Sequence, residues 1–148
     1  MLWRKESLSK RIKKLIDELV IAKGHYMVAR NSFEKHVKTR SINPLTLVSA
    51  LQGIPFTYET LGNIYVVSGD KKIRGIIKGI TKIRSVLEKD YPSVAISLSS
   101  DLENTILGLE KVLETSDLSE KIKLLNNIIV ELNIVKDKIS LLLDRLPQ

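Results

Sequence analysis

The chain contains no cysteine. That removes disulfides, thiolate metal sites, iron–sulfur clusters and cysteine nucleophiles together, and it suits a reducing compartment. Histidine is nearly as scarce. His25 and His36 are the only two, with no further carboxylate or histidine at ligand spacing to both, so no metal is expected. The seven glycines never assemble into a phosphate-binding loop: Gly75-Ile76-Ile77-Lys78-Gly79 is not followed by Gly-Lys-Ser/Thr, and no cofactor is expected. No apolar run approaches the roughly 20 residues that span a bilayer. The start, Met1-Leu2-Trp3-Arg4-Lys5-Glu6, runs straight into charges without the apolar region of a signal peptide. These absences predict a cytoplasmic protein.

What is present is a globular balance: 148 residues, 43% hydrophobic and 28% charged. That is enough for one core and short for two, so a single helical domain over 1–148 is expected. The lean towards Ile, Leu, Lys and Glu would fit a hot habitat.

Apolar residues then give the order of elements. Leu8, Ile12, Leu15, Leu19, Ala22, Tyr26, Ala29, Phe33 and Val37 fall at steps of three and four, which predicts one long helix over 7–39 with a bend permitted at Gly24. Asn43-Pro44 reads as a new helix start, and the short helix carrying Leu45, Leu47, Val48 and Leu51 stops at Gly53-Ile54-Pro55. Phe56-Thr57-Tyr58-Glu59-Thr60 and Ile64-Tyr65-Val66-Val67 are β-branched and aromatic, and they flank Leu61-Gly62-Asn63. That pattern predicts a small β-hairpin over 56–68.

Helical spacing returns with Ile73, Ile76, Ile77, Ile80, Ile83 and Leu87, ending before Pro92. Residues 93–98 read as a separate turn of helix. Ser100-Asp101-Leu102-Glu103 has the capping-box pattern for a helix through Ile106, Leu109, Val112 and Leu113. Asp117-Leu118-Ser119-Glu120 offers another start, for a final helix from Ile122 to Leu146. The fold class is mainly α: a bundle of four longer helices and one short helix, with a small β-hairpin insertion.

Charge is distributed unevenly. Residues 1–87 hold 17 Lys/Arg against 6 Asp/Glu, and residues 88–148 hold 7 against 11, net +11 and −4. Lys71, Arg74, Lys78 and Lys82 recur opposite the isoleucine stripe of one helix. Lys72 and Arg84 widen that face, while Gly75 and Gly79 leave room for a phosphate or a backbone to approach it. Lys10, Arg11, Lys13 and Lys14 crowd two turns of the first helix, and Arg30, Lys35, Lys38 and Arg40 crowd its end. Solvated helix faces also carry lysines, but the separation of sign between halves points to a surface for polyanions. The expected phosphate-backbone contacts are Lys71, Arg74, Lys78 and Lys82, helped by Lys10, Lys14 and Arg30. A basic half and an acidic half also allow head-to-tail self-association, with neutralisation inside one chain as the alternative. Phe56, Tyr58 and Tyr65 offer rings for base stacking or for docking the hairpin on the helices.

Arg30-Asn31-Ser32-Phe33-Glu34-Lys35-His36 resembles the signature of a family of helical ribonucleases, which would have Arg30 stabilise phosphate charge and His36 move protons. Residues at an exposed helix end account for the same pattern. No catalytic residue is assigned, and the chain is expected not to be an enzyme.

The organisation, a basic helical bundle with a β insertion at 56–68, resembles the small subunits of archaeal CRISPR effector complexes. That resemblance implies a non-catalytic subunit of a larger antiviral assembly that helps hold guide and target nucleic acid, RNA or DNA. The stretch from Asp101-Leu102-Glu103 to Leu109-Glu110-Lys111-Val112-Leu113-Glu114-Thr115-Ser116-Asp117, with the basic first helix and acidic second half, resembles archaeal cell-division proteins of the ESCRT-III type. That second resemblance implies filaments on anionic membranes. It ranks lower, because a hairpin interrupts the pair of long early helices that such a fold needs and no Trp/Phe/Leu face for a membrane is visible beyond Leu2-Trp3.

Overall fold

The computed structural model describes residues 5–42 and 58–146. It contains α1 (Lys5–Ile42), α2 (Tyr58–Asp90), α3 (Pro92–Glu114) and α4 (Leu118–Asp144). The seam of α1 steps by four and three through Leu8, Ile12, Leu15, Leu19, Ala22, Tyr26 and Ala29, all buried. α2 answers with Ile73, Ile76, Ile80, Ile83 and Leu87, also buried. A strict three–four repeat keeps one helix face towards its neighbour along the whole length.

The glycines of α2 fix the register. A Cβ at Gly62 would lie 3.0 Å from the Phe33 ring, one at Gly69 2.8 Å from the Tyr26 ring and one at Gly79 2.6 Å from Leu15 Cδ2. As the number rises by seven on α2, from Gly62 to Gly69, it falls by seven on α1, from Phe33 to Tyr26. The two helices are therefore antiparallel, and ring-sized side chains of α1 sit in holes that only glycine leaves.

The hairpin expected at 56–68 is not formed. Residues 58–68 are the first three turns of α2, and no strand occurs among the described residues. Gly62-Asn63, which reads as a turn, is where Phe33 packs. Burial against α1 outweighs the β preference of Ile64, Tyr65, Val66 and Val67, a preference that itself reflects packing context. The short helix read from Asn43-Pro44, together with Phe56 and Thr57, lies outside the described residues. The bend permitted at Gly24 does not break α1.

Pro92 separates α2 from α3. It disfavours helical backbone at Tyr91, whose φ of −138° and ψ of 64° leave the helix, and then serves as the first residue of α3. α3 therefore starts eight residues before the capping-box pattern at Ser100. Residues 93–98 are not a separate turn, because Val94, Ala95 and Leu98 are buried on the same stripe as Leu102, Ile106, Leu109 and Val112. The start at Asp117 is formed: its side chain accepts a hydrogen bond from the Ser119 N–H at 3.1 Å.

Each helix packs mainly on two others: α1 on α2 and α4, and α3 on α2 and α4. Lys23–Asn126 joins α1 to α4, Arg84–Glu103 joins α2 to α3, and Lys138–Asp101 joins α3 to α4. Consecutive helices run antiparallel around one contiguous apolar core. No helix among the described residues is long and apolar enough to cross a membrane.

Two glycines of α2 test this packing. Gly69→Ala drives a methyl group into a ring that cannot yield, and should lower stability by about 1–3 kcal/mol. Gly75 has nothing within 4 Å, so Gly75→Ala should raise stability by about 1 kcal/mol through helix propensity alone. Urea midpoints moving in opposite directions would verify the close approach of α1 and α2; two increases would refute it.

Candidate functional site

The outward face of α2 carries the cationic stripe. Because Ile73, Ile76, Ile80 and Ile83 point into the core, residues at steps of three and four on the opposite side must face solvent. Lys71, Arg74, Lys78 and Lys82 are all exposed there, along roughly 16 Å of helix. Lys10 and Lys14 are exposed on α1. The antiparallel register brings Lys14 level with Lys82, and both line a notch of about 180 Å³ between the helices with Arg11, Leu15, Glu18 and Gly79. Five of the expected contact residues thus extend into a sixth, and the track continues from Lys71 along α2 and across to Lys14 and Lys10. Among the described residues, no ion pair holds Lys10, Lys14, Lys71, Lys78 or Lys82. Their charge is available to an incoming anion.

Arg30 does not join them. It lies about 160° around α1 from Lys14 and turns towards α4. There it lines a separate cleft with Phe33, Glu34, Val37 and Leu118. Its Nε is buried without a hydrogen-bond partner, 4.0 Å from Glu34 Oε1. His36 lies six residues beyond Arg30, about 240° around the helix, so the two side chains leave different faces. Gly79 does not leave room for a phosphate either, because Leu15 occupies that space. Gly75 does, in the middle of the stripe. Tyr65 is half-buried on α2 with its ring 5.6 Å from that of His25, a contact between helices rather than a free stacking platform.

Sequence reasoning missed the most connected polar group in the molecule. Lys121, only 3% exposed, donates to Val112 O at 2.8 Å and to Asp70 Oδ1 at 3.1 Å, and it lies 4.9 Å from the centroid of the Tyr26 ring. The Tyr26 hydroxyl donates to the same Asp70 oxygen. One residue from each helix therefore meets at the end of the bundle where α3 turns into α4. In the sequence Tyr26 is one more member of the apolar stripe, and Asp70 and Lys121 are two charged residues 51 positions apart. Only the helix period flags Lys121: it stands four residues before Leu125 on the buried face of α4.

Burial, first, and then the hydrogen bond to Asp70 and the negative charge of that carboxylate push the Tyr26 phenol far above its ordinary pKa. The folded protein thus keeps a proton that the unfolded chain releases above about pH 10. A raised pKa of this kind contributes stability that is complete below the unfolded value and is lost as pH rises beyond it. The urea midpoint should fall between about pH 9.5 and 11, and Tyr26→Phe should remove most of that slope. An equal slope in the variant would assign the alkaline loss to other groups.

No family model, no curated protein and no solved structure matches this chain. The functional reading therefore rests on its own surface.

Proposed function

We propose that this chain is a non-enzymatic accessory subunit of a larger complex, binding nucleic acid through the phosphate backbone at the α1–α2 cationic face. The observation that carries the reading is the continuous exposed track of Lys71, Arg74, Lys78 and Lys82 joined to Lys14 across the notch. Among the described residues the track has charge and reach but no free aromatic ring and no array of amide side chains, so it suits backbone contacts that are indifferent to base sequence. The separation of Arg30 from His36 gives no support to a ribonuclease. Of the likeness to CRISPR small subunits, the basic helical bundle remains and the β insertion does not.

A specific observation favours the second reading, an ESCRT-III-like filament protein on anionic membranes. α1 and α2 are uninterrupted antiparallel helices of 38 and 33 residues, so the objection raised by a hairpin falls away. Exposed Ile64 and Val67 also continue the cationic face towards the start of α2. Magnitudes still favour nucleic acid. Four cations at a lipid surface supply roughly 1 kcal/mol each, which corresponds to a millimolar affinity. Counterion release from a polynucleotide brings non-specific contacts to roughly 10⁻⁴–10⁻⁶ M. Fluorescence anisotropy with labelled single- and double-stranded oligonucleotides, run beside sedimentation with phosphatidylserine vesicles, tests the choice. Salt-sensitive oligonucleotide binding without vesicle binding is expected. Vesicle binding alone would replace this reading with the second.

A further inference from the structure

Gly62, Gly69 and Gly79 are required by neighbouring side chains, but Gly24 is not. A Cβ there would meet nothing within 4 Å, and a glycine inside a 38-residue helix weakens it relative to alanine. The surroundings of Gly24 are equally unexplained by the fold. Val20, Ile21, Met27 and Val28, on the outer side of α1, are 47, 48, 39 and 40% exposed, a contiguous apolar patch with Gly24 at its centre. Charged residues would be the ordinary occupants of that face.

The patch is symmetric in its own sequence. Val20 and Val28 stand four residues either side of Gly24, Ile21 and Met27 three either side, and Asp17 and Asn31 seven either side. A helix with that pattern matches a second copy of itself lying antiparallel, since Val20 of one then faces Val28 of the other and the reverse holds by symmetry. A two-fold contact needs this self-complementarity, whereas a contact with an unrelated partner does not. Polar residues close both ends in the same arrangement: Asp17 of one copy comes level with Asn31 of the other, and one turn further out Lys13 comes level with Lys35, so the carboxylate meets an amide and offsets the two ammonium groups beside it. We infer that the chain forms a two-fold dimer through the outer face of α1, with Gly24 on the axis and its missing side chain allowing the two helices to touch.

Four apolar side chains per copy make a smaller contact than a standard interface, so the dimer is weak and concentration-dependent. The contact leaves the α2 stripe of the proposed nucleic-acid face clear, while Lys10 and Lys14 of that face flank it on α1. Lys71, Arg74, Lys78 and Lys82 lie on a different helix, and each dimer displays two such stripes, free to engage one polymer together.

Sedimentation equilibrium on the full chain should show the mass rising from one copy towards two between roughly 10 μM and 1 mM, and no further. Gly24→Glu places a charge on the axis without touching the fold, so it should keep full helix content by circular dichroism and stay monomeric. Ile134→Glu, on the outer face of α4, should dimerise as the parent does. Because the chain has no cysteine, Gly24→Cys should cross-link under mild oxidation at least about tenfold faster than Val130→Cys, since a disulfide forms only when the two Cα atoms come within about 7 Å. A parent that is monomeric throughout, a Gly24→Glu variant that still dimerises, an open series of larger masses or loss of association in Ile134→Glu would each overturn the proposal. The last two would point instead to a head-to-tail contact.

Discussion

Reversing two charges on α2, Lys78→Glu with Lys82→Glu, should weaken oligonucleotide binding by at least about tenfold at constant ionic strength while leaving the fold intact. Both side chains are exposed, neither is held in an ion pair among the described residues, and the apolar side of the same helix remains untouched. Exposed substitutions away from special features usually change stability by under about 0.5 kcal/mol. The thermal midpoint should therefore stay close to that of the parent. Loss should be similar across sequences, because phosphates carry no base information. The slope of log affinity against log salt should flatten by about 0.7 per lost contact on single strands and about 0.9 on duplexes. Arg30→Glu is the internal control: it lines the cleft with Leu118 of α4, on another side of α1 from Lys14, and should alter binding little. A doubly reversed variant that binds as tightly as the parent would show that the stripe is only a solvated surface.

α1 and α4 were legible in the sequence because their seams are filled by large aliphatic side chains at regular steps. The first three turns of α2 were not, for a reason that lies in particular residues. From Gly62 through Val66, Gly69, Ile73, Ile76, Ile80 and Ile83 to Leu87, the seam of α2 keeps the same four–three alternation, but two of its early positions are glycine. Glycine reads as a turn when the large residue that fills its hole is unknown, and here the fillers, Phe33 and Tyr26, come from another helix. Ser100 misled in a similar way. The capping-box pattern is real, but Glu103 reaches across to Arg84 at 3.1 Å and Asp101 to Lys138 at 3.2 Å, so these side chains join helices instead of starting one. Of the candidate surface, the α2 stripe was legible from spacing alone. That Lys14 joins it and Arg30 does not depends on which neighbour each face of α1 meets, and spacing within one helix does not carry that information.

Substituting Lys121 should have the largest effect on stability. Lys121→Met keeps the length and apolar stem of the side chain, so it leaves little cavity, but it removes the ammonium that satisfies both Val112 O and Asp70. Breaking a buried ion pair from one side typically costs about 3–5 kcal/mol, because the charge left behind is uncompensated. Asp70 keeps 21% of its side chain exposed and still accepts the Tyr26 hydroxyl, so water and that hydrogen bond relieve part of the penalty and the lower end is expected. For a chain of this size, about 3 kcal/mol corresponds to a fall of roughly 10 °C in Tm. Adding Asp70→Asn should recover at least about half of the loss, since the stranded charge disappears while the amide oxygen still accepts the Tyr26 proton. Asp70→Asn alone should also be destabilising, because it leaves the nearly inaccessible Lys121 ammonium without its carboxylate. A double-mutant cycle by urea denaturation measures the coupling directly. If Lys121→Met costs less than about 1 kcal/mol, or if the two losses simply add, the four helices are held by their apolar seams alone and the polar junction between them is incidental.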